Sequence, residues 1–247
     1  MKTIYILWIR QLKRYYRSKP RIIGSLGQPV LFLVALGFGF GPIYQKAGGG
    51  DYIQFLAPGI ICMSILFTSV FSGIEIIWDR QFGFLKETLV APVSRFHIMI
   101  GRTLGGASVA TLQGVIVFSI SLLAGFKPYL IALPLALFIM VLIAVIFTAL
   151  GTAIASLMED MHGFQLIMNF LIMPLFFLSG ALFPLDGLPR AIEIASRANP
   201  LSYGVDGLRF ALINVCHFSL AFDLTFMLLA ALIFLGLGSY LFSRIQI

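Results

Sequence analysis

Long runs without a single charge alternate along this chain with short clusters that hold nearly all of its Asp, Glu, Lys and Arg. Six stretches are charge-free for 20 residues or more: 22–45, 52–74, 103–126, 128–158, 161–185 and 224–243. The next longest gap, 210–222, has only 13 residues. A helix needs roughly 20 residues to cross about 30 Å of hydrocarbon, so the six runs are long enough and the seventh is not. A Lys, Arg or Asp at the membrane centre costs about 2.5–3.5 kcal/mol, which confines charge to the ends of the runs. The pattern predicts an all-α integral membrane protein with six transmembrane helices over residues 22–247.

Two segments outside the spans carry a period of their own. At about 100° per residue, Ile4, Tyr5, Trp8, Ile9, Leu12, Tyr15 and Tyr16 fall on one helical face, and Arg10, Lys13, Arg14 and Arg17 on the other. Residues 1–21 therefore predict an amphipathic connecting helix lying at the membrane interface, stopped by Pro20. Between the fifth and sixth spans, residues 186–223 are too apolar for a disordered loop and too interrupted to cross. Leu188, Ala191, Ile192 and Ala195 follow helical spacing, Asn199-Pro200 breaks it, and a second helical stretch begins near Ser202. Two short interfacial or re-entrant helices are the expectation here. Gly101 and Gly105 give a G-x-x-x-G spacing suited to close helix packing, and Pro134 and Pro174 are placed to kink the fourth and fifth spans.

Composition agrees with the pattern: 60% of the 247 residues are hydrophobic and 11% are charged, where a soluble domain carries about 25% charge. Basic residues then give orientation. With the N-terminus inside, twelve Lys and Arg lie on the cytosolic side and five on the outer side, so both termini are expected in the cytosol. The net charge of +7 needs no nucleic acid, because its excess borders the first span, where anionic membrane lipids attract it. Cys62 and Cys216 supply neither a metal site nor a disulfide framework. The first apolar run is longer than a signal peptide's core and starts after Arg21, so no cleavable signal is expected.

Catalytic chemistry has no foothold in the sequence. It holds no G-x-x-x-x-G-K-[ST] phosphate loop, no H-E-x-x-H and no G-x-S-x-G. His97, His162 and His217 stand far apart near predicted span ends and read as structural donors. Ion-coupled transport uses ionisable groups in mid-span, whereas Glu75 and Asp223 sit at span ends. Asn169 is the notable polar residue inside a span. It suits an interhelical hydrogen bond, or contact with a substrate together with Phe170, Phe176 and Phe177.

The remaining signal is the polar loop 75–102, which mixes Asp79, Arg80, Lys86, Glu87, Arg95 and Arg102 with the apolar Leu89, Val90 and Val93. An apolar centre with a charged rim of both signs suits a protein interface. The segment Leu85-Lys86-Glu87-Thr88-Leu89-Val90-Ala91-Pro92-Val93-Ser94-Arg95, followed by Gly101-Arg102, resembles the hallmark loop of type 2 export permeases of ABC transporters, a family that includes multidrug, lipid and polysaccharide exporters. Tyr52 to Gly59, Ser179-Gly180 through Phe183-Pro184 with Leu188-Pro189, and Asn199-Pro200-Leu201-Ser202-Tyr203 with Asp206 and Arg209 resemble further motifs of that family in the same order. The resemblance implies a plasma (inner) membrane permease working with a second permease copy and two ABC ATP-binding subunits. ATP and Mg would be bound by those subunits, no cofactor by this chain. Glu87, Pro92, Ser94 and Arg95, with Lys86 and Arg80, would couple to the ATPase. Pro184, Pro189, Asn199, Pro200, Tyr203 and Arg209 would belong to outer helices that close the exit. Export of a drug, a lipid or a lipid-linked glycan is the implied task. An ion-coupled secondary transporter and a membrane-embedded enzyme or assembly factor are the rival readings from the residues alone.

Overall fold

A computed structural model describes residues 2–46, 48, 50–90, 93–185, 187 and 189–245, the side chains of Arg21 and Leu89 excepted. Pro92, expected in the coupling loop, lies outside the described residues, as do Asp186 and Leu188 of the expected outer segment. The described residues form helices and connecting turns without a strand. In order they are α1 (Lys2–Arg17), α2 (Lys19–Lys46), α3 (Tyr52–Phe71), α4 (Ile74–Gln81), α5 (Phe84–Val90), α6 (Arg95–Leu123), α7 (Leu133–Ser156), α8 (Met161–Phe177), α9 (Arg190–Ala198), α10 (Pro200–Ile213) and α11 (Leu220–Ser243).

Among the described residues, five helical segments are long and apolar enough to span a membrane: Ile22–Lys46, Tyr52–Gln81, Arg95–Leu123, Leu130–Ser156 and Leu220–Ser243. The run 161–185 behaves differently. Its helix, α8, stops at Phe177 after 17 residues, a length of about 25 Å, and irregular chain follows. Two proline expectations also change. Pro20 lies in the first turn of α2, so it starts that helix instead of ending α1. Pro134 likewise lies in the first turn of α7. A first-turn proline forfeits no intrahelical hydrogen bond, so neither kinks a span. Pro174 does sit inside α8.

The central post is α3, which packs against α2, α6, α7, α8 and α10. Leu56, Ile60, Ile61, Cys62, Ile65, Leu66 and Val70 along it are fully buried. Asp51 starts this helix by accepting from the Ile53 N–H. Where α3 meets its neighbours, the backbones touch. A Cβ on Gly73, at the joint with α4, would lie 2.4 Å from the Gly151 carbonyl oxygen of α7. One on Gly59 would lie 2.3 Å from the Ala181 oxygen, just beyond α8. By contrast α2, α8 and α11 turn apolar side chains outward, among them Phe38, Ile43, Leu166, Phe170, Leu229 and Leu232.

Candidate functional site

One end of the bundle carries the polar loop, and most of that loop is helical. α4 closes at Phe82, Gly83 reverses the chain at φ +80°, and α5 follows. Only glycine enters that left-handed region without strain. Leu85 anchors α5 and is 1% exposed. The rest of the turn looks outward: Lys86 and Glu87 are exposed, as are Phe82, Phe84, Val90 and Phe96. Apolar rings beside a cation and a carboxylate make a surface with the makeup of an interface centre and rim. Val90 falls where the loop reading placed it. Val93 instead packs against the core, and the exposed phenylalanines were not anticipated. The sequence signal for Phe82 and Phe84 is their position on either side of Gly83.

Other polar residues of the loop hold that surface in place. The Ser94 Oγ caps α6 by accepting from the His97 N–H, and it lies 2.6 Å from His97 Nδ1. Arg95 donates from Nη1 to the Ser243 and Ile245 carbonyls at 2.6 and 2.9 Å, clasping the end of α11. Arg80 pairs with Glu159 at 2.7 Å, fastening α4 to the link between α7 and α8.

The carboxylates Glu75 and Asp79 serve an internal interface, not an external rim. They are 4% and 5% exposed, respectively, and face α1. Arg14 pairs with Glu75 at 3.6 Å and stacks 5.3 Å over Trp78. Asp79 lies between Arg10 at 3.2 Å and the buried Arg102 at 2.5 Å. Helix α1 in turn runs parallel to the start of α6. A Cβ on Gly101 would be 3.0 Å from that of Leu7, and one on Gly105 would be 2.5 Å from Gln11 Cγ. The G-x-x-x-G spacing is thus the seat of the amphipathic helix. Trp8 Nε1 donates to Ser108 at 2.9 Å, and the Tyr15 hydroxyl donates to Gln113 Oε1 farther up α6. This helix therefore rests on protein, with its basic face clamped to α4. Its apolar face is only partly used, since Tyr5 and Tyr16 stay exposed.

At the opposite end, α10 enters the bundle between α3, α7 and α11, and α9 stays exposed at the rim. The outer motif caps the short helix α8. A helix that ends inside a bundle leaves carbonyls without partners, and in hydrocarbon each must be satisfied within the protein. Asn199 Nδ2 donates to the Leu175 carbonyl at 2.6 Å, while its Oδ1 accepts from the Leu201 N–H and caps α10. Arg209, 7% exposed, donates to the Gly180 carbonyl at 3.0 Å and stacks 3.9 Å over Phe55. Asp206 accepts from the His217 and Phe218 N–H groups at 2.8 and 2.7 Å, tying α10 to the start of α11. Tyr203 donates to the Arg197 carbonyl at 2.6 Å and packs on Phe226, its ring centroid 4.1 Å away. Pro200 begins α10, Pro189 precedes α9, and Pro184 lines an apolar cleft with Leu36, Phe40 and Tyr52.

The four residues expected along a substrate path divide. Asn169, Phe170 and Phe177 share the open face of α8. Phe176 is buried and meets Phe32 edge-on at 6.3 Å. It packs the core.

Residues 2–213 match the family described as ABC-2 type transporter. The chain is 29% identical to the putative transport permease ycf38 of Cyanophora paradoxa, across 85% of this chain and 74% of that one. It is 29% identical to nodulation protein J of Rhizobium leguminosarum bv. trifolii, across 82% and 79%. It is 27% identical to the inner membrane transport permease YadH of Escherichia coli K12, across 85% and 82%.

Proposed function

The chain belongs to the ABC-2 type transporter family, and from that premise we propose that it exports an amphipathic substrate, a drug, lipid or lipid-linked glycan, driven by a separate ATPase. Family membership makes it the transmembrane part of an ABC transporter. The observation that carries the rest is the surface of α5, where Lys86 and Glu87 stand beside the exposed Phe82, Phe84 and Val90. The ATPase docks there. Arg80, Ser94 and Arg95 hold the docking turn, and the clamp from α4 to α1 passes its movement to the bundle. Two permeases and two ATPases form the working unit, with ATP and Mg on the ATPases. The second permease sits against the open faces of α2 and α8, so that Asn169, Phe170 and Phe177 face the path between the copies. The helices α9 and α10, with Pro184, Pro189, Asn199, Pro200, Tyr203 and Arg209, close the outer exit.

Charge reversal tests the docking surface. Lys86→Glu with Glu87→Arg should leave thermal stability unchanged, because both positions are exposed, and should lower ATP-dependent export by about tenfold or more. Unchanged export would overturn the assignment.

The proposed topology has six spans, the fifth completed by the chain after α8, with both termini in the cytosol at the plasma membrane. In a Cys216→Ser background, Glu193→Cys should react with a membrane-impermeant maleimide on intact cells. Reaction only after permeabilisation would reverse the orientation.

A further inference from the structure

Helix α8 is lightly held along its length. It packs on α3 and α4, and Leu166, Ile167, Phe170 and Met173 on its open side are exposed. The helix before it is fixed far more firmly. α7 is wedged among α3, α6, α10 and α11, with Ile143, Ile146 and Phe147 buried. Only residues 157–160 connect the two. A displacement applied to that link therefore meets less resistance from α8 than from α7.

One turn of α4 grips the link. Arg80 Nη2 pairs with the Glu159 carboxylate at 2.7 Å. The Gln81 side-chain amide donates to the Glu159 carbonyl at 3.0 Å, and Trp78 Nε1 donates to Met161 Sδ at the start of α8. At the opposite end of α4, a Cβ on Gly73 would lie 3.3 Å from the ring of Phe164, a fully buried residue of α8. The grip adds little to folding stability, because the Glu159 side chain is 77% exposed and exposed pairs contribute little. What it fixes is position.

The far end of α8 is held by the outer helices. Asn199 Nδ2 donates to the Leu175 carbonyl at 2.6 Å, and the Ser202 hydroxyl donates to the Leu178 carbonyl at 3.4 Å. Between the two holds lies Pro174, which removes one helical hydrogen bond and makes α8 easiest to bend there.

We infer that α8 is the rod that carries displacement of α5 to the outer helices, and that Glu159 and Gln81 are the positioning residues through which α4 moves it. This is a second connection beside the clamp on α1, and it ends on the helix that faces the path. It rests on the docking of the ATPase at α5 proposed above.

The test uses the complex of the full chain with its ATPase in detergent, with a bimane label on Gln165→Cys in a Cys216→Ser background. Gln165 is exposed on the inner half of α8. Addition of ATP should shift the bimane emission. Glu159→Arg sets two cations against each other; it should leave the ATPase bound and cut the shift about tenfold, within the range of ordinary coupling between sites. The exchange Arg80→Glu with Glu159→Arg restores the attraction and should recover most of the shift, which a general loosening of the fold would not do. A full shift in Glu159→Arg, or a lost shift that the exchange does not recover, overturns the inference. Failure of the docking reading shows separately, as a Lys86→Glu, Glu87→Arg chain that retains both the ATPase and the full shift.

Discussion

Asp79→Ala is expected to lower stability by about 3–5 kcal/mol, the usual cost of removing one partner from a buried ion pair. Asp79 and Arg102 are 5% and 4% exposed, and Arg10 reaches the same carboxylate from α1. The Nε and Nη1 of Arg102 have no hydrogen-bond partner even with Asp79 present. Without it the guanidinium is left in the bundle uncompensated, and α1 loses one of its two ion-paired anchors on α4. Thermal unfolding in detergent micelles measures the loss. The double replacement Asp79→Leu with Arg102→Met should recover most of it, because a buried pair exchanged for apolar residues of similar volume is often neutral. Loss of less than about 0.5 kcal/mol in Asp79→Ala, the range of an ordinary surface change, would mean that the triad is not a clamp.

The second large effect comes from a single methyl group. In an open helical position Gly→Ala stabilises by up to about 1 kcal/mol, and Gly39 and Gly41 on α2 are such positions, with nothing within 4 Å of an added Cβ. Gly59→Ala should have the opposite sign. Its Cβ would meet the Ala181 oxygen at 2.3 Å and the Ala181 Cα at 2.8 Å, and both are backbone atoms. Ala181 is itself fully buried in the segment that Arg209 holds through Gly180. Neither side can turn away as a flexible side chain would, so α3 and the chain beyond α8 must separate. Overpacking of this kind costs about 1–3 kcal/mol. Equal melting behaviour of Gly59→Ala and Gly39→Ala would show that this joint is slack.

Much of the architecture was legible because hydrocarbon imposes simple rules on sequence. Charge-free runs located five spans, and the period of residues 4–17 located α1. The outer motif marked α9 and α10 through Asn199-Pro200. What escaped were the partners. Asp79 read as a rim charge and Glu75 as a span-end carboxylate, since a linear sequence cannot say that Arg10 and Arg14, more than 60 residues earlier, fold back to meet them. Asn199 and Arg209 read as residues of the outer helices, but nothing in the sequence pairs Asn199 with the Leu175 carbonyl of α8 or Arg209 with the Gly180 carbonyl beyond it. The length of that helix escaped for the same reason: apolar composition continues to 185, but the helix stops once side chains from α10 can take its carbonyls. On the exposed surface of α5 the charged residues Lys86 and Glu87 were readable, and the flanking phenylalanines were not, because exposure is invisible to composition in a chain this apolar.

The clamp between α1 and α4 also has a history within each molecule's synthesis. Arg10 and Asp79 are 69 residues apart. At about 5–20 residues per second, α1 leaves the ribosome several seconds before its counter-charges exist. Its seat on α6 comes later still. During that interval Arg10 and Arg14 have only lipid phosphates and water to meet, and α1 must wait at the bilayer surface. The basic face thus serves twice, first as a temporary mooring on the nascent chain and then as the permanent bolt that fastens the first helix to its latecomers.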